Sequence, residues 1–211
     1  MVFIGSEPNQ IRAERVLQYS IEANTKEQVD FVVMRNGLPG FDDWTNHGPT
    51  GFTLFRFAVP HLMGFEGMAI YLDCDMLVLG DIAELATYYR PGKWCQHADP
   101  QGDCVSVIDC SMFHDFPGQW PTIDELKSGK LRKWDVRGRL EPIISRTIPG
   151  EWNSMDKWSG IDTKLVHYTS LETQPWHPDP NRVYKKHPVE LVESLWYRWE
   201  SLADDEMREV T

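Results

Sequence analysis

A chain of 211 residues, 41% of them hydrophobic and 25% charged, can bury a full core, which excludes wholesale disorder. Its formal net charge of −11 excludes non-specific nucleic-acid binding and a basic membrane-surface patch. No run of 18 apolar residues exists to span a membrane.

Val2–Gly5 reads as a short buried strand, broken by Ser6, Glu7, Pro8 and Asn9, which is helix-start chemistry. Residues 10–24 carry Ala13, Val16, Leu17, Ile21 and Ala23 at a helical period, and residues 29–34 predict the next strand. The three make a βαβ unit whose first loop lies at a ligand-binding edge. Ser6, Glu7 and Asn9 either touch a base or ribose there or simply cap the helix. Residues 36–51, rich in Gly, Pro, Asn and Asp, predict a loop. Residues 52–63 predict a helix with Phe52, Phe55, Val59 and Met63 on one face and Pro60 bending or ending it. Arg56, the only charge in that segment, is either an ion-paired arginine or a partner for phosphate or carboxylate.

Residues 68–81 carry the pattern with most chemical content. An apolar strand runs up to Asp73, and Asp75 projects to the same side. Two hard oxygen donors at the carboxyl end of a buried strand invite a divalent cation. With 17 aspartates in the chain, chance alone supplies roughly one or two such pairs, so context decides. Asp81 reads as a helix N-cap with Glu84 reaching back, a structural role. Residues 93–98 and 105–109 predict two strands joined by the polar turn 99–103, and 122–128 a short helix. The basic run 129–138, with Lys130, Arg132, Lys133 and Arg137, reads as a solvated face. Residues 149–159 form a loop holding Trp152, Asn153 and Trp158. Residues 164–168 predict a strand ending at His167. A Pro-rich connection leads to a closing helix, 189–202, with Val189, Val192, Leu195, Trp196, Trp199 and Leu202 on its core stripe.

Two carboxylates and one imidazole suit Mn²⁺, and Mg²⁺ less well, in an octahedral site whose other positions take ligand oxygens. A diphosphate would fill them, and the cation would offset the acidic total.

Phe55-Arg56-Phe57 and Pro60, ahead of Ala69-Ile70-Tyr71-Leu72-Asp73-Cys74-Asp75 and Gly80-Asp81-Ile82, resemble the core signature of family-8 glycosyltransferases. Trp152-Asn153, Val166-His167-Tyr168-Thr169-Ser170 and Pro175-Trp176 resemble the downstream motif of the same family, and the matches span about residues 2–176. The resemblance implies an α/β, Rossmann-like GT-A fold with a mixed, mostly parallel sheet flanked by helices. It implies one such domain over 1–211, with 178–211 as a C-terminal extension packed on it. It further implies transfer of a hexose from a nucleotide-diphosphate sugar, usually a UDP-sugar, to a carbohydrate or other small-molecule or glycan acceptor, with retention. Carried over, Asp73, Asp75 and His167 bind Mn²⁺ or Mg²⁺, and Asp73 also lies near the donor ribose. Gly5, Ser6 and Glu7 hold the base, Arg56 contacts the donor, and Ser170 and Gln174 occupy the donor phosphate motif.

The departures are informative. The family's phosphate-binding lysine is Gln174 here, and the glycine of that motif is Ser170. Arg56 or the basic run substitutes for the missing cation. The Asn-Ala-Gly segment expected near 102–105 is not recognisable. Where an Asp-Gln-Asp segment belongs, in 139–145, the only acid is Glu141; Glu141 and Asn153 are the candidate catalytic residues.

Two rival readings compete. A haloacid-dehalogenase-type phosphatase also uses Asp-x-Asp, with the first Asp as nucleophile. That motif sits near the N-terminus with Thr or Val where Leu77 stands here, and it gives His167 no role. A non-catalytic sugar- or nucleotide-binding module would keep the fold and lose the chemistry. The N-terminus carries no basic leader, and Cys74, Cys95, Cys104 and Cys110 form no Cys-x-x-Cys pair, so reduced thiols and a cytoplasmic location are expected. Zinc ligation by Cys95, His97, Cys104 and Cys110 matches no common finger spacing.

Overall fold

The computed structural model describes residues 1–35, 40–44, 48–98, 102–114 and 120–209, with side chains to residue 206. The predicted loop 36–51 and turn 99–103 therefore fall partly outside the described residues. In chain order the strands are β1 (Val2–Gly5), β2 (Phe31–Met34), β3 (Met68–Asp73), β4 (Met76–Val78), β5 (Trp94–His97), β6 (Val105–Asp109), β7 (Ile144–Ile148), β8 (Ser154–Met155) and β9 (Leu165–His167). The α-helices are α1 (Ile11–Asn24), α2 (Val59–Leu62), α3 (Ala83–Ala86), α4 (Ile123–Lys127), α5 (Lys133–Leu140) and α6 (Glu190–Glu209). Among the described residues no helix is long and apolar enough to cross a membrane. The chain divides into two compact units, one of Met1–Pro8, Asp30–Asp73 and Leu85–Ile148, the other of Asn9–Val29, Cys74–Glu84 and Pro149–Thr211.

The first unit holds a sheet in the order β2-β1-β3-β6-β5-β7. β1 pairs in parallel with β2 and β3, and β5 in parallel with β7, while β6 alone runs against its neighbours. The sheet is thus mixed and mostly parallel, as expected. Every residue of β1 and β6 is buried. Burying an aliphatic side chain contributes about 1.5–3 kcal/mol, so these strands are held firmly in register. That register sets Gly5 opposite Asp73 and Leu72 opposite Val105. The ends of β1 and β3 and the start of β6 therefore share one sheet edge. Gly5 is needed there, because a Cβ would lie 2.2 Å from the Tyr71 hydroxyl.

Two expectations for this unit need correction. The predicted helix 52–63 is a 3₁₀ stretch, Phe55–Ala58, followed by the single turn α2. Pro60 opens α2 rather than ending a helix, since the first turn needs no N–H from it. Helix α5 and strand β7 occupy segments for which no element was predicted. Thr122, by contrast, caps α4 with Glu125 in a reciprocal capping box, where a helix was expected.

The second unit holds a three-stranded sheet, β4-β9-β8, with α1 and α6. Two side chains of α1 secure the edge strand β4: Ser20 Oγ accepts the Val78 N–H at 3.1 Å, and Asn24 donates to the Val78 carbonyl at 3.1 Å. Ala13, Val16, Leu77, Val166, Tyr168, Trp176, Val192, Trp196 and Ala203 form its core. On α6 the stripe passes through Val192, Trp196 and Ala203, whereas Leu202, expected in it, is 39% exposed. Trp176 packs on Trp196 with ring centres 4.4 Å apart, so half of the Pro-Trp motif is core. Asp81 accepts the Ala83 N–H at 3.0 Å in its expected capping role, and Glu84 ion-pairs with Lys164.

Candidate functional site

In the first unit the site is built around Asp73, the last residue of β3 and 4% exposed. Arg56 donates to both its oxygens, at 2.9 and 3.0 Å, and the Tyr71 hydroxyl donates to Oδ1 at 2.6 Å. Tyr71 stands two residues back on the same strand face, which is why it reaches. The same guanidinium lies 3.3 Å from Asp103 Oδ1 and 3.3 Å from Cys104 Sγ, and Nε donates to the Thr53 carbonyl. Arg56 thus spans two buried carboxylates, the ion-paired reading of the two the sequence offered.

Burial would lower the Arg56 pKa, but Asp73 and then Tyr71 and Asp103 drive it well above the usual value. Burial, reinforced by Asp73, pushes the Tyr71 phenol well up, so it stays a proton donor. Asp103 is pushed up by burial but held below the usual carboxylate range by Arg56, Lys133 and Arg137. At the neighbouring strand end, Glu7 accepts the Gly51 N–H at 2.7 Å. Ser6 is fully buried, and its hydroxyl has no hydrogen-bond partner among the described residues.

In the second unit antiparallel pairing of β4 with β9 sets Met76 opposite His167. Asp75, just before β4, therefore meets the end of β9: the Tyr168 N–H donates to its carbonyl at 2.9 Å, and His167 Nε2 lies 3.3 Å from its Oδ1. β8 runs parallel to β9 and brings up Asn153, whose Oδ1 accepts from His167 Nδ1 at 2.9 Å. An amide oxygen only accepts, so Nδ1 carries a proton and Nε2 is the nitrogen that faces Asp75. Gln174 is fully buried and donates to the Tyr168 carbonyl at 3.0 Å and, at 3.4 Å, to Asp75 Oδ2. It supports the carboxylate rather than reaching outward as a lysine would. Ser170 is exposed and caps a turn through its carbonyl.

Glu141 lies on the surface, its carboxylate bound twice by Arg146 at 2.8 and 3.0 Å. Asn153, the other candidate catalytic residue, is buried and meets the His167 ring. Among the described residues no three of Cys95, His97, Cys104 and Cys110 come together as a ligand set. Sequence reasoning passed over Tyr71, although its spacing from Asp73 was a signal; Asp103, a lone acid between Gly102 and Cys104, offered none.

The strand order and the acid-bearing end of β3 define a mixed α/β fold of the GT-A glycosyltransferase type. Solved structures similar to this chain include galactosyltransferase LgtC in complex with donor and acceptor sugar analogues, at TM-score 0.65 and 13% identity over 97% of this chain and 95% of that one. GlyE of Streptococcus pneumoniae TIGR4 gives TM-score 0.65 and 14% identity over 99% of this chain and 62% of that one. The bifunctional glycosyltransferase WbbM gives 0.61 and 15% over 94% and 51%. No protein-family model matches. A curated relative, Protein CDI of Arabidopsis thaliana, is 32% identical over 93 residues, 40% of this chain. The chain spans 34% of the length of Protein CDI and about half that of WbbM.

Proposed function

We propose that the chain is a metal-dependent glycosyltransferase that moves a hexose from a nucleotide-diphosphate sugar, a UDP-sugar, to a carbohydrate or other small-molecule or glycan acceptor, with retention. The observation that carries this is the facing of His167 Nε2 and Asp75 Oδ1 at 3.3 Å with the other ring nitrogen tied to Asn153. An imidazole nitrogen and a carboxylate oxygen at that distance are joined either by a proton or by a cation. In this reading Asp75 and His167, with Asp73 two residues before Asp75 in the chain, offer Mn²⁺ or Mg²⁺ two hard carboxylates and an imidazole. Bound there, the metal would act as a Lewis acid toward the departing diphosphate.

The protein groups have separate tasks in this reading. Arg56 and Tyr71 orient Asp73, Gln174 steadies Asp75, and Asn153 fixes the His167 tautomer. The buried Ser6 hydroxyl, with Gly5 and Glu7 on the same strand end, serves the base or ribose. Ser170 lies at the donor edge, and Glu141 takes no part. Titration calorimetry tests the reading: UDP should bind with Mn²⁺, fail to bind in EDTA, and be lost in Asp75→Ala and His167→Ala. UDP binding indifferent to metal would overturn it. A hydrolysis screen across UDP-, GDP- and ADP-sugars then identifies the donor.

A further inference from the structure

Gln174 stands where the family motif carries a lysine, and it is fully buried. Its Nε2 donates to the Tyr168 carbonyl at 3.0 Å and to Asp75 Oδ2 at 3.4 Å. Two acceptors on one side fix the amide against a flip, because an oxygen turned toward them would meet only oxygens. The other polar atom, Oε1, has no hydrogen-bond partner among the described residues. A buried carbonyl left without a donor or a cation destabilises the fold that holds it.

That oxygen shares its carbon with the nitrogen held at Asp75, so it lies within one amide group of the carboxylate. Asp75 Oδ1 in turn lies 3.3 Å from His167 Nε2. A second buried atom without a partner, Asn153 Nδ2, stands beside His167 but only donates, so it cannot take a cation. Gln174 Oε1 only accepts. An amide oxygen is a hard, neutral ligand of the kind that Mn²⁺ and Mg²⁺ take beside carboxylates. A lysine at this position would offer the ion no lone pair, whereas the glutamine does.

We propose that Gln174 Oε1 is a further protein ligand of the divalent ion, beside Asp75 and His167, so that the ion is held without nucleotide; the proposal rests on the metal-dependent reading above. The test titrates Mn²⁺ into the whole, nucleotide-free chain, following the free-ion electron paramagnetic resonance signal, with Cd²⁺ measured by displacement. Gln174→Met is close in size. Its sulfur stands where the amide carbon was, and the longer bond to sulfur reaches the same ion. A thioether is a soft ligand, so Mn²⁺ affinity should fall by roughly tenfold or more, while the softer Cd²⁺ loses less. Equal losses of both ions would make Gln174 only a support for Asp75 and overturn the proposal. So would unchanged Mn²⁺ binding, which would give the oxygen to a buried water. A measurement on the unaltered chain needs no variant to fold. With glutamine ¹³C-labelled at its side-chain carbonyl, bound Mn²⁺ should show a ¹³C coupling in electron–nuclear double resonance, and its absence refutes ligation. If the nucleotide-free chain binds no Mn²⁺ while UDP binding still needs the metal, this proposal falls and the glycosyltransferase reading stands. If UDP binding is indifferent to metal, both fall.

Discussion

Replacing Arg56 with Met removes the group that joins Asp73 and Asp103. The side chain is 3% exposed and bonds both oxygens of Asp73 at 2.9 and 3.0 Å, with Asp103 at 3.3 Å. Taking away one partner of a buried ion pair costs about 3–5 kcal/mol, because the remaining charge has lost its water and its counter-ion. In a chain of this length each kcal/mol moves the midpoint by about 2–4 °C, so Arg56→Met should melt roughly 6–20 °C lower. Arg56→Lys keeps the charge but not the fork, and should fall between the two. The pH dependence follows from Asp103. Its carboxyl is pushed up by burial but held below the usual range by its cations, so the stability it contributes is present above the unfolded pKa and fades as pH falls through the depressed folded value. Loss of Arg56 raises that folded value, so the destabilisation should be largest near neutrality and shrink toward about pH 4, where carboxyls protonate. Thermal unfolding followed by near-ultraviolet circular dichroism at both pH values measures it. A shift below about 2 °C, less than 1 kcal/mol on this scale, or a gap that widens in acid, refutes the reasoning.

Gly5→Ala would drive a methyl to 2.2 Å from the Tyr71 hydroxyl and 3.2 Å from Phe52. Strain of about 1–3 kcal/mol and weaker Mn²⁺-dependent UDP binding should follow, and a variant as stable as the parent would show that Tyr71 yields freely. Asn153→Leu frees the His167 ring, and Mn²⁺ affinity measured by calorimetry should fall roughly 10- to 100-fold; an unchanged affinity would deny Asn153 its orienting role. On α6, Trp196→Ala should cost about 3–5 kcal/mol in denaturant titration. Leu202→Ala, at a 39% exposed position, should cost well under about 1 kcal/mol, and parity of the two would contradict the observed stripe.

The elements that could be read from sequence are those whose pattern comes from burial. Buried strands such as β1, β3 and β6 announce themselves as apolar runs, and α1 by its 3.6-residue period. For the same reason the positions of Asp73 and His167 at strand ends were legible. Helix α5 was not, because half of its residues are charged and its cations meet a partner, Asp103, contributed by another segment. β7 carries Arg146 and Thr147 in its middle and lacks the apolar signature. The roles of Arg56 and Gln174 were equally hidden, since a side chain's partner is a long-range fact. Arg56 meets a carboxylate 17 residues on, and Gln174 one 99 residues back.

Among the described residues β7 pairs only with β5 and closes the six-stranded order. A bare strand edge is a template on which another chain can add itself. Arg146, on β7, is exposed and ion-pairs with Glu141 at 2.8 Å. A charge kept on an edge strand disfavours pairing with another chain, so Arg146 and its partner Glu141 would guard that rim against self-association. Their protection is electrostatic, so it weakens as ionic strength rises and would vanish with Arg146→Val. Strand addition at that rim should therefore be more favourable in concentrated salt than in dilute.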